Sequence, residues 1–352
     1  MTTAADELTG LSATLFARAG IAGDPVGIYP LPGGSNNRVV RVEAANGESF
    51  LLKTYLANPG DDRDRCGTEW KFSSFLWNRG ERCIAEPLAR DPPRASLFRF
   101  IHGNAVTTAS VAPSQLQKAG QFVRRINRWR DEGWKTSLGS ASEACFSLSE
   151  HLECIEQRLH RLQGIAADVA IQREARLFVD RHLVRAWQRI VKNVVSRSHL
   201  ASARLDVTLS PEERCLSPSD FGFHNALQDN LGTVYWLDFE YAGWDDPAKL
   251  ICDFFCQPHI PVHIMHWDFF LGACGWPEKE RQRIEQRARL LFPVYRIKWC
   301  CILLNEFLPI GAARRGFARG ANSGADLRPL QLAKARSALN ACVSGEVEHG
   351  LY

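Results

Sequence analysis

Between Val39 and Tyr55 the chain spells out a β-hairpin. Val39, Val40, Arg41, Val42 and Glu43 read as one strand, Asn46-Gly47 is a strong two-residue turn signal, and Phe50 to Tyr55 read as the returning strand. A short amphipathic helix over residues 5–20 precedes it and ends at Gly20. A second helix follows from about Arg65 to Arg79, with Trp70, Phe72, Phe75 and Leu76 as its apolar positions and Gly80 as its stop. Leu97 to Ile101 read as another strand, closed by Gly103. From Pro113 onward the period changes. Residues 114–130 place Leu116, Ala119, Phe122, Val123 and Ile126 at helical spacing, and residues 149–163, 171–197, 283–309 and 328–342 read as further helices. Only residues 215–246 interrupt this, with two strand-like pieces separated by turns. No internal repeat and no low-complexity linker divides the chain. The pattern predicts an α+β fold of two lobes. Residues 1–103 form a small sheet-rich lobe, residues 104–352 a larger and mainly helical one, and the boundary falls near Gly103 to Ser110.

Length agrees with this division, since 352 residues exceed one ordinary compact core. Hydrophobic residues at 45% and charged residues at 23% are those of a soluble globular protein. A net charge of +4 demands neither a nucleic-acid nor a membrane partner, and the basic cluster Arg314, Arg315 and Arg319 reads as a solvated loop. No stretch reaches the roughly 18 consecutive apolar residues of a membrane span. The opening MTTAADELTG carries acids before any apolar run, unlike a secretory signal, so a cytoplasmic protein is expected. The oligomeric state stays open. The 11 cysteines, an odd number scattered through segments that read as buried, point to reduced thiols. Cys252, Cys256, His259, His263 and His266 lie close together, but no C-x-x-C pair anchors them and Pro258 and Pro261 break the segment. Buried thiols and ordinary histidines are expected there.

The chemistry concentrates in Ser217-Pro218-Ser219-Asp220-Phe221-Gly222-Phe223-His224-Asn225 and Tyr235-Trp236-Leu237-Asp238-Phe239-Glu240. An Asp followed five positions later by Asn is weak by itself. Asp238 sharpens it, because it ends a short apolar strand, Val234 to Leu237, after an Asn230-Leu231-Gly232 turn. Phosphoryl transfer uses such a set. One carboxylate orients the attacking hydroxyl and accepts its proton, while an amide oxygen and a second carboxylate hold magnesium against the phosphates.

This segment resembles the aminoglycoside phosphotransferase and choline kinase family, which is similar to protein kinases. In that family a loop of the form H-G-D-x-x-x-x-N precedes an I-D-[FWY]-[DE] strand end. Asp220 matches the catalytic Asp, Asn225 the loop Asn, Asp238 the metal-binding Asp and Glu240 the acid two positions on. Asp246, before Pro247, matches an acidic residue that supports the catalytic loop. Earlier in the chain, Gly33-Gly34-Ser35-Asn36-Asn37-Arg38 looks like the phosphate-covering loop. Lys53 stands where the family has its phosphate-pairing base, and Glu69 where it has the acid that holds that base. Phe98-Arg99-Phe100-Ile101-His102-Gly103 looks like the hinge, with Phe100, Ile101 and His102 along the adenine. The resemblance covers roughly residues 30 to 255, and the order of its parts is more specific than any one of them. It implies a two-lobed, protein-kinase-like fold, use of ATP or GTP with Mg²⁺, and a small-molecule hydroxyl as acceptor.

One departure stands out. Pro218-Ser219 replace the family's His-Gly before Asp220, which bears on loop geometry more than on reaction type. His224 reads as a solvated loop residue. A catalytically impaired nucleotide-binding pseudokinase is the main rival reading; retention of Lys53, Glu69, Asp220, Asn225 and Asp238 together argues against it. A protein kinase is disfavoured because Asp238 runs within a few residues into Trp244-Asp245-Asp246-Pro247, leaving no room for a peptide-docking segment. The acceptor pocket is expected on the late helix, where Arg296, Trp299 and Glu306 are its polar and aromatic groups. Glu240 is a further candidate acceptor contact. Trp299 does not decide between a sugar and an amino alcohol, but the mixed Arg, Lys, Asn and Glu chemistry of the helix suits a hydroxyl-rich acceptor better than a polycation such as an aminoglycoside, so a sugar is expected, with an amino alcohol or an aminoglycoside as the alternatives.

Overall fold

The computed structural model describes residues 4–31, 37–56, 63–133, 138–200, 204–309 and 326–343. Gly33, Gly34, Ser35 and Asn36 of the expected phosphate loop, and the cluster Arg314, Arg315 and Arg319, lie outside them. The described residues form two compact units. The first holds the chain up to Ala105 and then Asn225–Ala242; the second holds Val106–His224 and most of the chain from Gly243 on.

In the first unit β1 (Pro25–Pro30), β2 (Asn37–Ala44), β3 (Ser49–Tyr55), β4 (Pro87–Asp91) and β5 (Ala95–Arg99) make an antiparallel sheet in the order β1-β2-β3-β5-β4. Burial alternates along β2, with Val40, Val42 and Ala44 on the covered face, as a half-buried strand requires. α1 (Ala4–Ala19) lies on that face, and its Leu11, Leu15 and Phe16 pack on Val40, Val42, Phe50, Leu52 and Leu97. Phe16 meets Phe50 edge-on at 5.1 Å, and full burial of one such ring contributes about 1.5–3 kcal/mol. The turn between β2 and β3 holds Gly47 at φ +84°, a conformation glycine adopts without strain. α2 (Arg65–Trp77) starts at Asp64, whose carboxylate accepts from the Gly67 amide at 2.8 Å. The later segment of this unit is a hairpin, Ala226–Gln228 against Val234–Trp236, and Asn104–Ala105 pair along its outer edge.

The second unit is helical: α3 (Pro113–Asn127), α4 (Arg130–Gly133), α5 (Leu148–Leu162), α6 (Ala170–Phe178), α7 (Val184–Leu200), α8 (Pro247–Cys256), α9 (Trp267–Cys274), α10 (Glu278–Leu304) and α11 (Arg328–Val343). A π-helical turn, Val179–Leu183, joins α6 to α7. α8 and α9 bring Phe254 and Phe270 into a parallel stack at 4.2 Å, with Phe255 edge-on to both rings and Trp267 edge-on to Phe292. Gly120 on α3 has no side chain because a Cβ there would come within 2.5 Å of Ala273 on α9. Cys215–Ser217 pair antiparallel with Gly243–Asp245, which places both ends of a catalytic-loop-like segment on one short ladder. All eleven cysteines are free thiols. Those of Cys252 and Cys256 are directed at backbone carbonyls of α10, Ala288 and Phe292. No helix among the described residues is long and apolar enough to cross a membrane.

Candidate active site

Antiparallel pairing sets Lys53 on β3 between Val39 on β2 and Ser96 on β5, with its side chain only 6% exposed. Its ammonium donates to Glu69 Oε2 at 2.6 Å and to Asp238 Oδ1. Glu69, on α2, is held further by the Tyr55 hydroxyl at 2.7 Å and the Phe239 amide at 3.3 Å. Burial disfavours the charge on Lys53, but Asp238 and Glu69 outweigh it and hold the pKa well above the usual lysine value. The lysine is therefore a fixed cation.

Asp238 follows the Val234–Trp236 strand in a left-handed conformation, φ +66°, which costs a non-glycine residue about 1 kcal/mol and turns its carboxylate off the strand line. The carboxylate stays 28% exposed beside a lysine that is almost fully covered. Hairpin register puts Ala226 opposite Trp236, and the Leu237 amide donates to the Asn225 carbonyl at 2.9 Å. Asn225 is thus tied to Leu237, the residue just before Asp238. Glu240 lies elsewhere than its expected role requires. It is buried, it accepts from Asn37 Nδ2 at 2.8 Å, and burial and Asp238 push its carboxyl up. An interior acid at the root of the strand after the glycine-rich segment is not an open acceptor contact. Phe100, Ile101 and His102 follow β5 directly; Phe100 is tied to Ser49 through its amide, and its ring meets His102 edge-on at 5.0 Å.

In the second unit Asp220 follows the Cys215–Ser217 strand, with its carboxyl side chain 36% exposed. Ser219 before it has φ +67°. The Ser219 amide donates to Ser217 Oγ at 3.0 Å, and its own hydroxyl accepts from Lys249 Nζ at 3.2 Å. Lys249 is buried on α8 and is neutralised by Asp245 at 2.5 Å. Where the family carries His-Gly, this chain has a serine in a strained backbone held by a buried lysine. No local spacing announces that pairing, because Ser219 and Lys249 are 30 residues apart. His224 is also placed unlike a solvated loop residue: its side chain is 13% exposed, and Nε2 lies 3.1 Å from Asp220 Oδ1.

Asp246 is fully buried. It caps α8 through the Ala248 amide at 2.7 Å, and its other oxygen receives His151 Nε2 at 3.0 Å and Arg287 Nε at 2.5 Å. His151 Nδ1 meets the Tyr295 hydroxyl at 2.8 Å. Burial alone would raise the Asp246 carboxyl, but Arg287 and His151 bring it below the usual carboxylate range, while burial keeps His151 neutral to lower pH than a free histidine. His151 and Arg287 come from α5 and α10, far from Asp246 in sequence, and nothing in their local pattern marks them.

The family model of the phosphotransferase enzymes, APH, matches residues 27–255. The chain belongs to that family. It is a small-molecule phosphotransferase with the family's protein-kinase-like α+β fold. Solved structures share this fold at low identity. A spectinomycin phosphotransferase solved with ADP and spectinomycin is 13% identical over 96% of this chain and 98% of its own, with a TM-score of 0.60. An ethanolamine kinase of Plasmodium vivax is 14% identical over 90% of this chain and 81% of its own, TM-score 0.58. A choline kinase of Cryptosporidium parvum is 11% identical over 99% of both chains, TM-score 0.57. No curated protein sequence matches the chain.

Against this family background the α10 residues separate. Trp299 is buried, and its indole N–H donates to Asp253 Oδ1 at 2.9 Å, beside Lys298, which spans both oxygens of the same carboxylate at 3.0 and 2.8 Å. Trp299 therefore presents no ring face for stacking, contrary to the expectation from its helical position. Arg296 is half-buried 5.3 Å over the Phe292 ring, with Nε lacking a partner among the described residues. Glu306 is half-buried in the 3-10 turn Asn305–Phe307 that ends the helix.

Proposed function

We propose that this phosphotransferase moves the γ-phosphoryl group of ATP, or GTP, to a hydroxyl of a small molecule. In this reading Asp220 is the base, Lys53 the phosphate-holding cation, and Asn225 and Asp238 the magnesium ligands. The observation that carries it is Lys53 itself. A buried ammonium fixed between Glu69 on a helix and Asp238 at a strand end keeps its charge and its aim, as a group waiting for phosphate oxygens must. The same reading assigns the Gly33-Gly34-Ser35-Asn36 segment, which lies outside the described residues, to the phosphates and Phe100 to His102 to the adenine.

The metal fits the residues present. Among the described residues no three His, Cys, Asp or Glu side chains gather as a metal cage. Mg²⁺ needs none here, since it takes one or two carboxylates and fills its remaining positions with phosphate oxygens and water. Asp238 and Asn225, the latter bonded through its carbonyl to the residue before Asp238, offer a partly exposed carboxylate and an amide oxygen of the right hardness. When bound, the ion neutralises charge developing on the phosphates. Glu69 keeps Lys53 pointed, Asp220 orients the acceptor hydroxyl and takes its proton, and the buried Asp246 set holds the start of α8.

For the acceptor we place a sugar first. Arg296 and Glu306 are half-buried polar groups suited to hydroxyls. The test is ATP consumption with Mg²⁺ across sugars, choline, ethanolamine and aminoglycosides, alongside thermal melting. Nucleotide at 100 times its dissociation constant adds about 2.7 kcal/mol of stability, so a clear rise in melting temperature is expected. No rise at millimolar Mg·ATP would count against the whole reading, and phosphorylation of choline alone would overturn the sugar.

A further inference from the structure

We infer that His224, seated by His259, is a positioning residue for Asp220. The inference rests on the reading of Asp220 as the base and concerns residues of one compact unit only.

His224 Nε2 lies 3.1 Å from Asp220 Oδ1, four positions apart across the loop. A carboxylate oxygen accepts, so the nitrogen facing it, Nε2, carries a proton. Nδ1 is buried and has no partner among the described residues. A histidine serving only as a loop staple would turn at least one nitrogen to a backbone group; here the ring's one hydrogen bond goes to the acid on which the chemistry depends. The ring itself is mostly covered, while the Asp220 side chain stays 36% exposed. One carboxylate oxygen is thereby held from the protein side.

Two further features serve this contact. Gly222 makes room for the ring, since a Cβ there would lie 2.7 Å from His224 Nδ1 and 3.2 Å from Gln257 Cγ. Gln257, buried at the end of α8, accepts from the His259 and Ile260 amides at 3.0 and 3.1 Å and so sets the following loop. That loop stacks His259 on His224, centroids 5.4 Å apart and planes 30° apart. The set Asp220, Gly222, His224, Gln257 and His259 fixes the rotation of a carboxylate about its own side chain. Such orientation matters because a misplacement of about 1 Å at a reacting group costs on the order of a hundredfold in rate.

The experiment uses the full chain with Mg·ATP, reading ADP release with water as acceptor and with any acceptor found in the panel. His224→Phe is expected to lower kcat about tenfold or more with KM for ATP close to wild type. His224→Gln, whose amide N–H reaches the same place, restores most of the loss, and His259→Ala gives a smaller one. In an Asp220→Asn background His224→Phe changes nothing further, because the group it positions is gone. Wild-type kcat in His224→Phe, or an equal loss in the Asp220→Asn background, overturns the inference. So does a drop in melting temperature with no change in kcat. Wild-type turnover by Asp220→Asn would instead sink the base assignment. If His224→Phe does not fold, His224→Gln and His259→Ala decide. Independently of turnover, imidazole nitrogen NMR is expected to show a proton on His224 Nε2 and its loss in Asp220→Ala; a ring indifferent to Asp220→Ala overturns the proposal.

Discussion

The two units hold the two acids of the proposed site in different ways. In the first, Asp238 is paired directly with a buried cation, Lys53, which Glu69 pins from the other side. In the second, Asp220 has a histidine neighbour, and its loop is braced one residue away, by Lys249 on Ser219. Lys249 is balanced by Asp245 and, at 3.8 Å, by Asp253. In the proposed reading the first arrangement keeps a charge for a ligand, and the second orients an acid through its neighbours. Damage to the first should show in nucleotide binding, and damage to the second in turnover.

The largest test of that contrast sets Asp220→Asn against Asp238→Asn. Removing a general base typically costs about 10²–10⁴ in rate, so Asp220→Asn should bind Mg·ATP nearly normally by calorimetry and turn over little. Asp238→Asn should lose both. The reverse pattern would mean that the two roles are exchanged.

Next comes Lys53→Ala. It leaves Glu69 buried without its cation, a change that costs on the order of 3–5 kcal/mol, so urea unfolding should shift strongly while KM for ATP rises and kcat falls. Wild-type kinetics would reduce the pair to a structural ion pair.

A smaller effect is expected at Ser219. Ser219→Ala keeps the left-handed strain and deletes the Lys249 contact, costing about 1–2 kcal/mol. Ser219→Gly relieves the strain and should melt closer to wild type. If Ser219→Gly also keeps full kcat, backbone freedom is all that the position requires, and the lysine brace is dispensable.

The smallest is a pH effect in the second unit. Burial would raise the Glu143 carboxyl, but Arg158 beside it brings the value down to about 2 from an ordinary 4.5. Because the folded value lies below the unfolded one, the pair stabilises the protein above pH 4.5 and loses that contribution as pH falls toward 2. The melting-temperature gap between wild type and Glu143→Gln should therefore close over that window. A constant gap would mean that Glu143 acts through packing.

Much of the fold was legible because its elements are periodic. The Asn46-Gly47 hairpin, the helix after Asp64 and the long helical run all announce themselves locally. β1 and β4 escaped because prolines sit within or beside them, Pro25, Pro30 and Pro87, which is tolerated at sheet edges and looks like loop. α9 escaped because Trp267–Cys274 is too short and too evenly apolar to show a period. The family was readable from the order of motifs between Lys53 and Asp238, but side-chain partners far apart in sequence were not. Helical spacing also could not say that Trp299 points inward to Asp253, nor that His224 is covered by a residue thirty-five positions later.

The route of the chain has a consequence for how it is made. The first unit is not finished when Ala105 leaves the ribosome. Asn104–Ala105 have no strand to pair with, and Lys53 lacks its second carboxylate, until Asn225–Ala242 are synthesised. At ordinary translation speeds that wait lasts on the order of ten seconds, with an unpaired sheet edge open to chaperones or to misassociation. A fragment ending at Ala105 should behave as that nascent chain does, aggregating rather than folding, so nucleotide binding cannot be studied on the isolated amino-terminal piece.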